Sequence, residues 1–296
     1  MSSPPVPDAT GAQRTRHDRG ALVVRGRRLA WGERTYVMGI VNATPDSFSG
    51  DGRPDASDAV AHALALAEAG ADLLDVGAAS SRPGAPAVAR AEELRRLLPV
   101  VRGIRAATTL PLSVDTFAPE IFARAHDAGA DMLNSIWGLD DALLALAAER
   151  DVPVVVMHNA REAHYPRGVV EDVLANLEAQ GARALRAGLP AERVMLDPGI
   201  GFAKTPDDNL ALLGALDRLV ALGFPTLLGT SRKSTIGRLT GRAAADRAFG
   251  TAATVALAAA AGIDVVRVHD VAAMRDVVSV CDAVARGWRP GGWDAT

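Results

Sequence analysis

Asp115, Asn134, Asp197 and Arg267 are polar residues that each stand at or near the C-terminal end of a short apolar run. Asn42, His158 and Ser231 end three further runs, Lys233 follows two residues after Ser231, and His269 shares the run of Arg267. Asp115 and Asn134, on neighbouring runs, offer an acceptor and a donor to a planar, nitrogen-rich heterocycle; either could instead cap the helix that follows. Asp197 closes a buried run and needs a donor partner. A ring edge of the NH–C–NH₂ kind would satisfy it with two hydrogen bonds, as fork-shaped charge-assisted pairs do. After it come Pro198, Gly199, Ile200, Gly201 and Phe202. The two glycines let the backbone approach a ligand closely, and Phe202 can stack on it. Met157 offers a soft wall, and Gly229 leaves space against a flat ring. His158 reads equally as a polar tip or as a satisfied structural imidazole.

Arg267 and His269 alternate to one side of their run, and with Ser231 they make an anion site beside Lys233. Arg82, in a small-residue loop over residues 77–84, extends it. Alone, Arg82 reads as readily as a solvated side chain. Beside the glycine-containing loop that carries Gly50 and Gly52, it suits a lid closing over an anion. This cation set suits a diphosphate better than a carboxylate.

Residues 36–42, 73–76, 111–115, 132–134, 153–158, 194–197, 226–231 and 265–269 are too short for helices and are edged by turn formers, so they read as buried parallel strands. Amphipathic segments separate them. The first of these is expected to start from a Ser57-Asp58 cap and to turn Val60, Ala63, Leu64 and Ala67 inward. Eight such units predict a (β/α)8 TIM barrel, whose active site lies at the C-terminal strand ends. Ahead of it, residues 21–24 and 29–36 read as a β-hairpin plugging the barrel's bottom. The expected organisation is a disordered tail over residues 1–20, one domain over 21–287 and a short tail over 288–296.

Composition narrows the function class. The chain has 296 residues, 49% hydrophobic, with a net charge of −3. A barrel consumes about 250 residues, leaving no room for a second domain. The charge argues against a nucleic-acid surface, and no stretch reaches the ~18 apolar residues of a membrane span. The Ala-rich residues 243–262 read as a barrel helix packed on the sheet or on a partner. One cysteine, Cys281, excludes a disulfide framework; it falls on the stripe Val271, Met274, Val277, Val278, Cys281 and Val284, as a buried inert thiol would. Residues 1–20 lack the apolar centre of a signal peptide, so the cytoplasm is expected.

Six segments carry a resemblance. Gly39-Ile-Val-Asn-Ala-Thr-Pro-Asp-Ser-Phe-Ser49, Ser80-Ser-Arg-Pro-Gly84, Ser113-Val-Asp-Thr116, Asp197-Pro-Gly-Ile-Gly-Phe202, Gly229-Thr-Ser-Arg-Lys-Ser234 and Arg267-Val-His-Asp270 resemble, in order, the motifs of the dihydropteroate synthase family. The resemblance implies a transferase of folate biosynthesis that joins 6-hydroxymethyl-7,8-dihydropterin diphosphate to 4-aminobenzoate, releasing diphosphate and 7,8-dihydropteroate. It implies that Asp115, Asn134 and Asp197 hold the pterin, with Lys233 bonded to it and Met157, Phe202 and Gly229 lining the slot. Asn42 would bind Mg2+ on the diphosphate, and Arg267 and His269 would grip the diphosphate. Ser81, Arg82, Pro83 and Phe48 would close over the site and form the aminobenzoate pocket, with Lys233 and Ser234 at its rim. A homodimer is also implied.

The chain departs from the family pattern in places. Ala78-Ala79-Ser80-Ser81 stands where Gly-Glu-Ser-Thr is usual, Ser49-Gly-Asp-Gly52 where Ser-Asp-Gly-Gly is usual, and Ala203 replaces a glycine. These changes bear on lid closure and inhibitor sensitivity. Two other readings share Asp115, Asn134 and Asp197: a pterin-binding methyltransferase, which needs no diphosphate clamp, and a non-catalytic pterin-binding paralogue.

Overall fold

A computed structural model describes residues 19–43, 56–79 and 88–293. Arg25 and Gly26 both take positive φ (53° and 73°), and this tight turn folds β1 (Ala21–Val24) antiparallel onto β2 (Arg27–Ala30). The second arm stops at Ala30 instead of running on to residue 36. Gly32 turns the chain with φ 83°, and its amide donates to Asp264 at 2.9 Å. Tyr36 then opens the first barrel strand, β3 (Tyr36–Asn42).

From there, apolar runs alternate with helices. In chain order these are α1 (Ala56–Glu68), β4 (Leu73–Gly77), α2 (Arg90–Ala107), β5 (Leu112–Asp115), α3 (Pro119–Asp127), β6 (Met132–Ser135) and α4 (Asp141–Glu149). They continue with β7 (Val154–Met157), α5 (Val169–Arg186), β8 (Val194–Asp197), α6 (Pro206–Leu213), α7 (Leu216–Val220) and β9 (Leu227–Leu228). The last are α8 (Ser234–Thr240), α9 (Ala248–Ala261), β10 (Val265–Val268) and α10 (Val271–Ala285). The eight-stranded sheet runs β8-β7-β6-β5-β4-β3-β10-β9, and all its ladders are parallel. A bridge from Leu196 to Thr226 links its two ends and makes it a (β/α)8 barrel.

Strand alternation sorts the interior into layers. Met38, Leu73, Met132, Val155, Met195, Leu227 and Val265 form one buried cluster with Leu22, Leu29 and Trp31 of the hairpin region, so the hairpin closes the N-terminal end as expected. Two residues along five of these seven strands the inward positions turn polar or small: Asp75, Asn134, Asp197, Gly229 and Arg267. Apolar burial holds the lower barrel shut, and the upper barrel is left for chemistry.

Several details differ from the sequence expectation. Arg19, placed in the tail, is buried and ion-paired to Asp264 at 2.6 Å, also donating to the Phe224 carbonyl. Helix α1 begins at Ala56 and buries Ala59, Ala63 and Leu66 rather than a stripe through Leu64. Gly39 explains the shift, because a Cβ there would lie 3.1 Å from Leu66 and 3.3 Å from Val271. Cys281 is only half-buried, and Val284 is exposed. The neighbouring Asp282 takes the buried position, accepting from the Thr35 amide at 2.6 Å and pairing with Arg286 at 3.0 Å. Among the described residues, no helix is long and apolar enough to cross a membrane.

Candidate active site

The centre of the upper barrel is a residue the sequence reading passed over. Asp75 sits mid-strand in β4 and is fully buried. Its Oδ2 accepts from Asn134 Nδ2 at 3.1 Å and from Arg267 Nε at 2.6 Å. The other arm of Arg267, Nη2, reaches Asp115 Oδ2 at 3.5 Å. Register accounts for the meeting: Asp75 pairs with Ser113, and Asp115, two residues on, pairs with Asn134. Arg267, expected in a diphosphate clamp, therefore lies between two carboxylates on the floor of the mouth. Asp75 Oδ1 and Ser113 Oγ, side by side in that register, are buried with no hydrogen-bond partner.

Burial shapes the acids. It pushes the Asp115 carboxyl up to about 7, with Arg267 pulling down and Asp75 pushing up. Asp197 is raised to about 6, again by burial, against the Gly199 amide and the charges of Lys233, Lys204 and Arg267. Two desolvated carboxyl groups in one cavity favour a ligand that brings donors or positive charge.

The turn after Asp197 is held by backbone geometry. Gly199 has φ 68° and donates to Asp197 Oδ1 at 2.7 Å; a Cβ there would sit 2.0 Å from the His158 carbonyl oxygen. Gly201 has φ 83°, and a Cβ there would come within 3.1 Å of Lys233 Cδ, so this glycine gives the lysine its path. The Lys233 ammonium lies 4.1 Å from the centre of the Phe202 ring, within cation–π range. Met157, buried, pairs with Asp197 across β7 and β8. At Gly229 a Cβ would meet only Arg267 Cβ, at 4.0 Å, so that wall is open as expected.

On the far side, Ser231 Oγ is 2.9 Å from His269 Nδ1, and the His269 amide donates to Ser231 Oγ at 3.2 Å. Burial, with Arg232 and Arg267 nearby, lowers His269 to about 4, so it is neutral near pH 7. Arg232 takes φ 59° and is locked to Asp270 at 2.6 Å. Arg247 Nη1 donates to the carbonyls of Arg232 (2.9 Å) and Lys233 (3.3 Å). Together these contacts fix the turn that delivers Lys233 and then Ser234, the exposed first residue of α8.

His158 resolves toward the structural alternative. It is buried, its amide donates to the Asp197 carbonyl at 2.9 Å, and its Nδ1 lies 3.0 Å from Lys204 Nζ. Glu93, on α2, was also missed; it is buried and accepts from Thr116 Oγ1 at 3.2 Å. Phe48, Ser81, Arg82 and Pro83, with the loop residues Asp46 and Asp51, lie outside the described residues.

Asn42 is half-buried at the end of β3, beside Gly77 of β4. Among the described residues, no three His, Cys, Asp or Glu side chains gather as a metal site. One amide oxygen at a strand end suits Mg2+ that keeps its waters and is held mostly by substrate phosphate oxygens.

A sequence profile described as "Pterin binding enzyme" matches residues 38–269. Dihydropteroate synthase of Bacillus subtilis is 42% identical over 276 residues, 92% of this chain and 96% of the relative. That of Synechocystis is 41% identical over 269 residues, 88% and 92% of the two chains. Among solved structures, Xanthomonas albilineans dihydropteroate synthase with 4-aminobenzoic acid superposes with a TM-score of 0.85 at 48% identity, over 89% of this chain and 97% of that one. The same enzyme with 7,8-dihydropteroate gives 0.81 at 46%, over 89% and 98%.

Proposed function

The chain belongs to the dihydropteroate synthase family of pterin-binding enzymes, and from that premise we propose how its residues divide the family's reaction. The activity is the transfer of the pterin's exocyclic methylene carbon from diphosphate to the amine of 4-aminobenzoate, giving 7,8-dihydropteroate. The observation that carries the residue assignment is the polar layer of buried Asp75, Asn134 and Asp197 and half-buried Asp115 and Arg267 directly above an apolar floor.

The pterin enters with its NH-rich edge toward Asp197 and its opposite edge toward Asp115 and Asn134. Its face lies against Met157 and the open wall at Gly229, with the Lys233–Phe202 pair at the rim. The ring's donors replace the water these carboxylates lost, so both ionise as it binds. The bond between the methylene carbon and the diphosphate oxygen then breaks, the electron pair leaving with the diphosphate. The positive charge delocalises into a ring flanked by the two carboxylates, which stabilise it electrostatically. Aminobenzoate nitrogen supplies the new C–N bond and loses one proton. Arg267 and His269 receive the diphosphate. For Arg267 this requires a turn away from Asp75, and the arriving anion raises the basicity of His269. Mg2+, held by Asn42 and the phosphate oxygens, would neutralise charge on the leaving group. Ser234 faces the aminobenzoate from the start of α8; the family resemblance assigns Ser81, Arg82, Pro83 and Phe48 to the same substrate.

We also read the protein as a homodimer. Phe249, 90% exposed, and Leu257 stand on α9, and Val280 and Val284, 84% exposed, on α10, which packs against it; exposed apolar side chains on these two neighbouring helices suit a second copy. Sedimentation of wild type and Phe249→Asp checks it: the variant should run as a monomer.

Mixing the protein with pterin diphosphate and aminobenzoate should yield dihydropteroate, and Asp115→Asn should abolish it. A protein that binds pterin yet never forms product would be the non-catalytic paralogue.

A further inference from the structure

Half-buried Lys204 and buried His158 have no place in the pterin scheme, yet both stand beside it. Lys204 Nζ stands 3.0 Å from His158 Nδ1, donates to the Phe202 carbonyl at 2.9 Å and reaches the His158 carbonyl at 3.4 Å. Burial lowers Lys204 to about 8 and His158 to about 4, so near neutral pH the lysine is the donor and the imidazole the acceptor. The same turn is pinned by Tyr165 Oη, which donates to the Ala203 carbonyl at 2.7 Å, Ala203 itself having φ 47°. Phe202, whose carbonyl Lys204 holds, carries the ring that seats the Lys233 ammonium.

We propose that Lys204, anchored on His158, is a positioning residue for the pterin half of the reaction. It fixes the turn that carries Phe202 and, through that ring, the head of Lys233, and it sets a second positive charge beside Asp197. The role rests on the assignment of Asp197, Phe202 and Lys233 to the pterin. Even a half-buried ammonium costs desolvation; a scaffold needing only a hydrogen bond at this turn could use a neutral donor, as Tyr165 does at Ala203. The charge is what a neutral donor would lack.

The groups facing the pair are few. Asp197, Asp208 and Lys233 act on Lys204, and among the described residues Lys204 is the charged neighbour acting on His158. Asp197 is faced by Lys233, Lys204 and Arg267. The charges acting most strongly on Asp115 are those of Arg267, Asp75, Lys233 and Glu93.

The test is calorimetric titration with 6-hydroxymethylpterin between pH 5 and 9. Wild type should bind, with affinity falling as the pH drops below about 7, where Asp115 takes a proton, and again near 6, where Asp197 does; the second step is the limb that Lys204 acts on. Lys204→Met should lose about tenfold in affinity at pH 7, and its acid limb should move to higher pH; Lys204→Arg should restore both. Lys204→Gln, which keeps a donor for the Phe202 carbonyl without the charge, should shift the limb with a smaller loss, and it carries the test if the methionine variant does not fold. An unshifted limb in both uncharged variants overturns the proposal, whether affinity is intact or uniformly reduced. If wild type itself binds no pterin, the functional reading fails instead.

Discussion

Replacing Asp197 by asparagine should separate what the site costs the fold from what it gives the ligand. The folded carboxyl titrates near 6 rather than at 3.8, so holding it ionised in the folded state costs about 3 kcal/mol. The sign follows from proton binding: between those two values the folded state holds more protons than the unfolded one, so wild-type stability declines as pH rises from about 4 to about 6. The asparagine side chain has nothing to ionise, and its oxygen can still accept from the Gly199 amide, which donates to the wild-type carboxylate at 2.7 Å. Urea unfolding should therefore find Asp197→Asn equal to wild type near pH 4 and more stable by up to about 3 kcal/mol at pH 8. Pterin binding should move the other way. An amide presents a donor to ring NH groups, and the mismatch of charge-assisted bonds should cost at least roughly 1.5–3 kcal/mol, a loss of tenfold to a hundredfold by calorimetry. An affinity within twofold of wild type, or a variant less stable at pH 8, would refute the reasoning.

Other residues give sharper contrasts. Arg267→Ala removes the counter-charge of Asp75 and Asp115, so bare-pterin binding should need a higher pH than in wild type, while the diphosphate substrate stays weak even at that pH. Arg247→Ala frees the carbonyls of Arg232 and Lys233; steady-state kinetics should show a raised aminobenzoate KM with pterin affinity little changed. Gly199→Ala places a Cβ 2.0 Å from the His158 carbonyl at φ 68°, and thermal unfolding should show a loss of about 2 kcal/mol or more.

The barrel was legible because each parallel strand is a short apolar run that ends where the chain meets the mouth. Asp115, Asn134 and Asp197 stood out at those ends; Asp115 pairs in register with Asn134, and Arg267 and Lys233 act on both carboxylates. Asp75 did not stand out, because it lies inside its run, and a single polar residue mid-strand looks like noise until register sets it opposite Ser113. Arg267 was read as an anion clamp from its neighbours in sequence; its partners Asp75 and Asp115 lie 192 and 152 residues away. Lys204 carries no signal in the sequence, and only the positive-φ turn at Ala203 folds it back under Phe202. The hairpin boundary slipped because Arg19 and Gly32 are held by Asp264, a residue from the other end of the domain.

The most direct test of the account is the release of diphosphate, followed with and without 4-aminobenzoate. The pterin diphosphate should release diphosphate in step with dihydropteroate formation, one for one, and Asp115→Asn should do neither. Tight pterin binding with no aminobenzoate-dependent diphosphate release would contradict it.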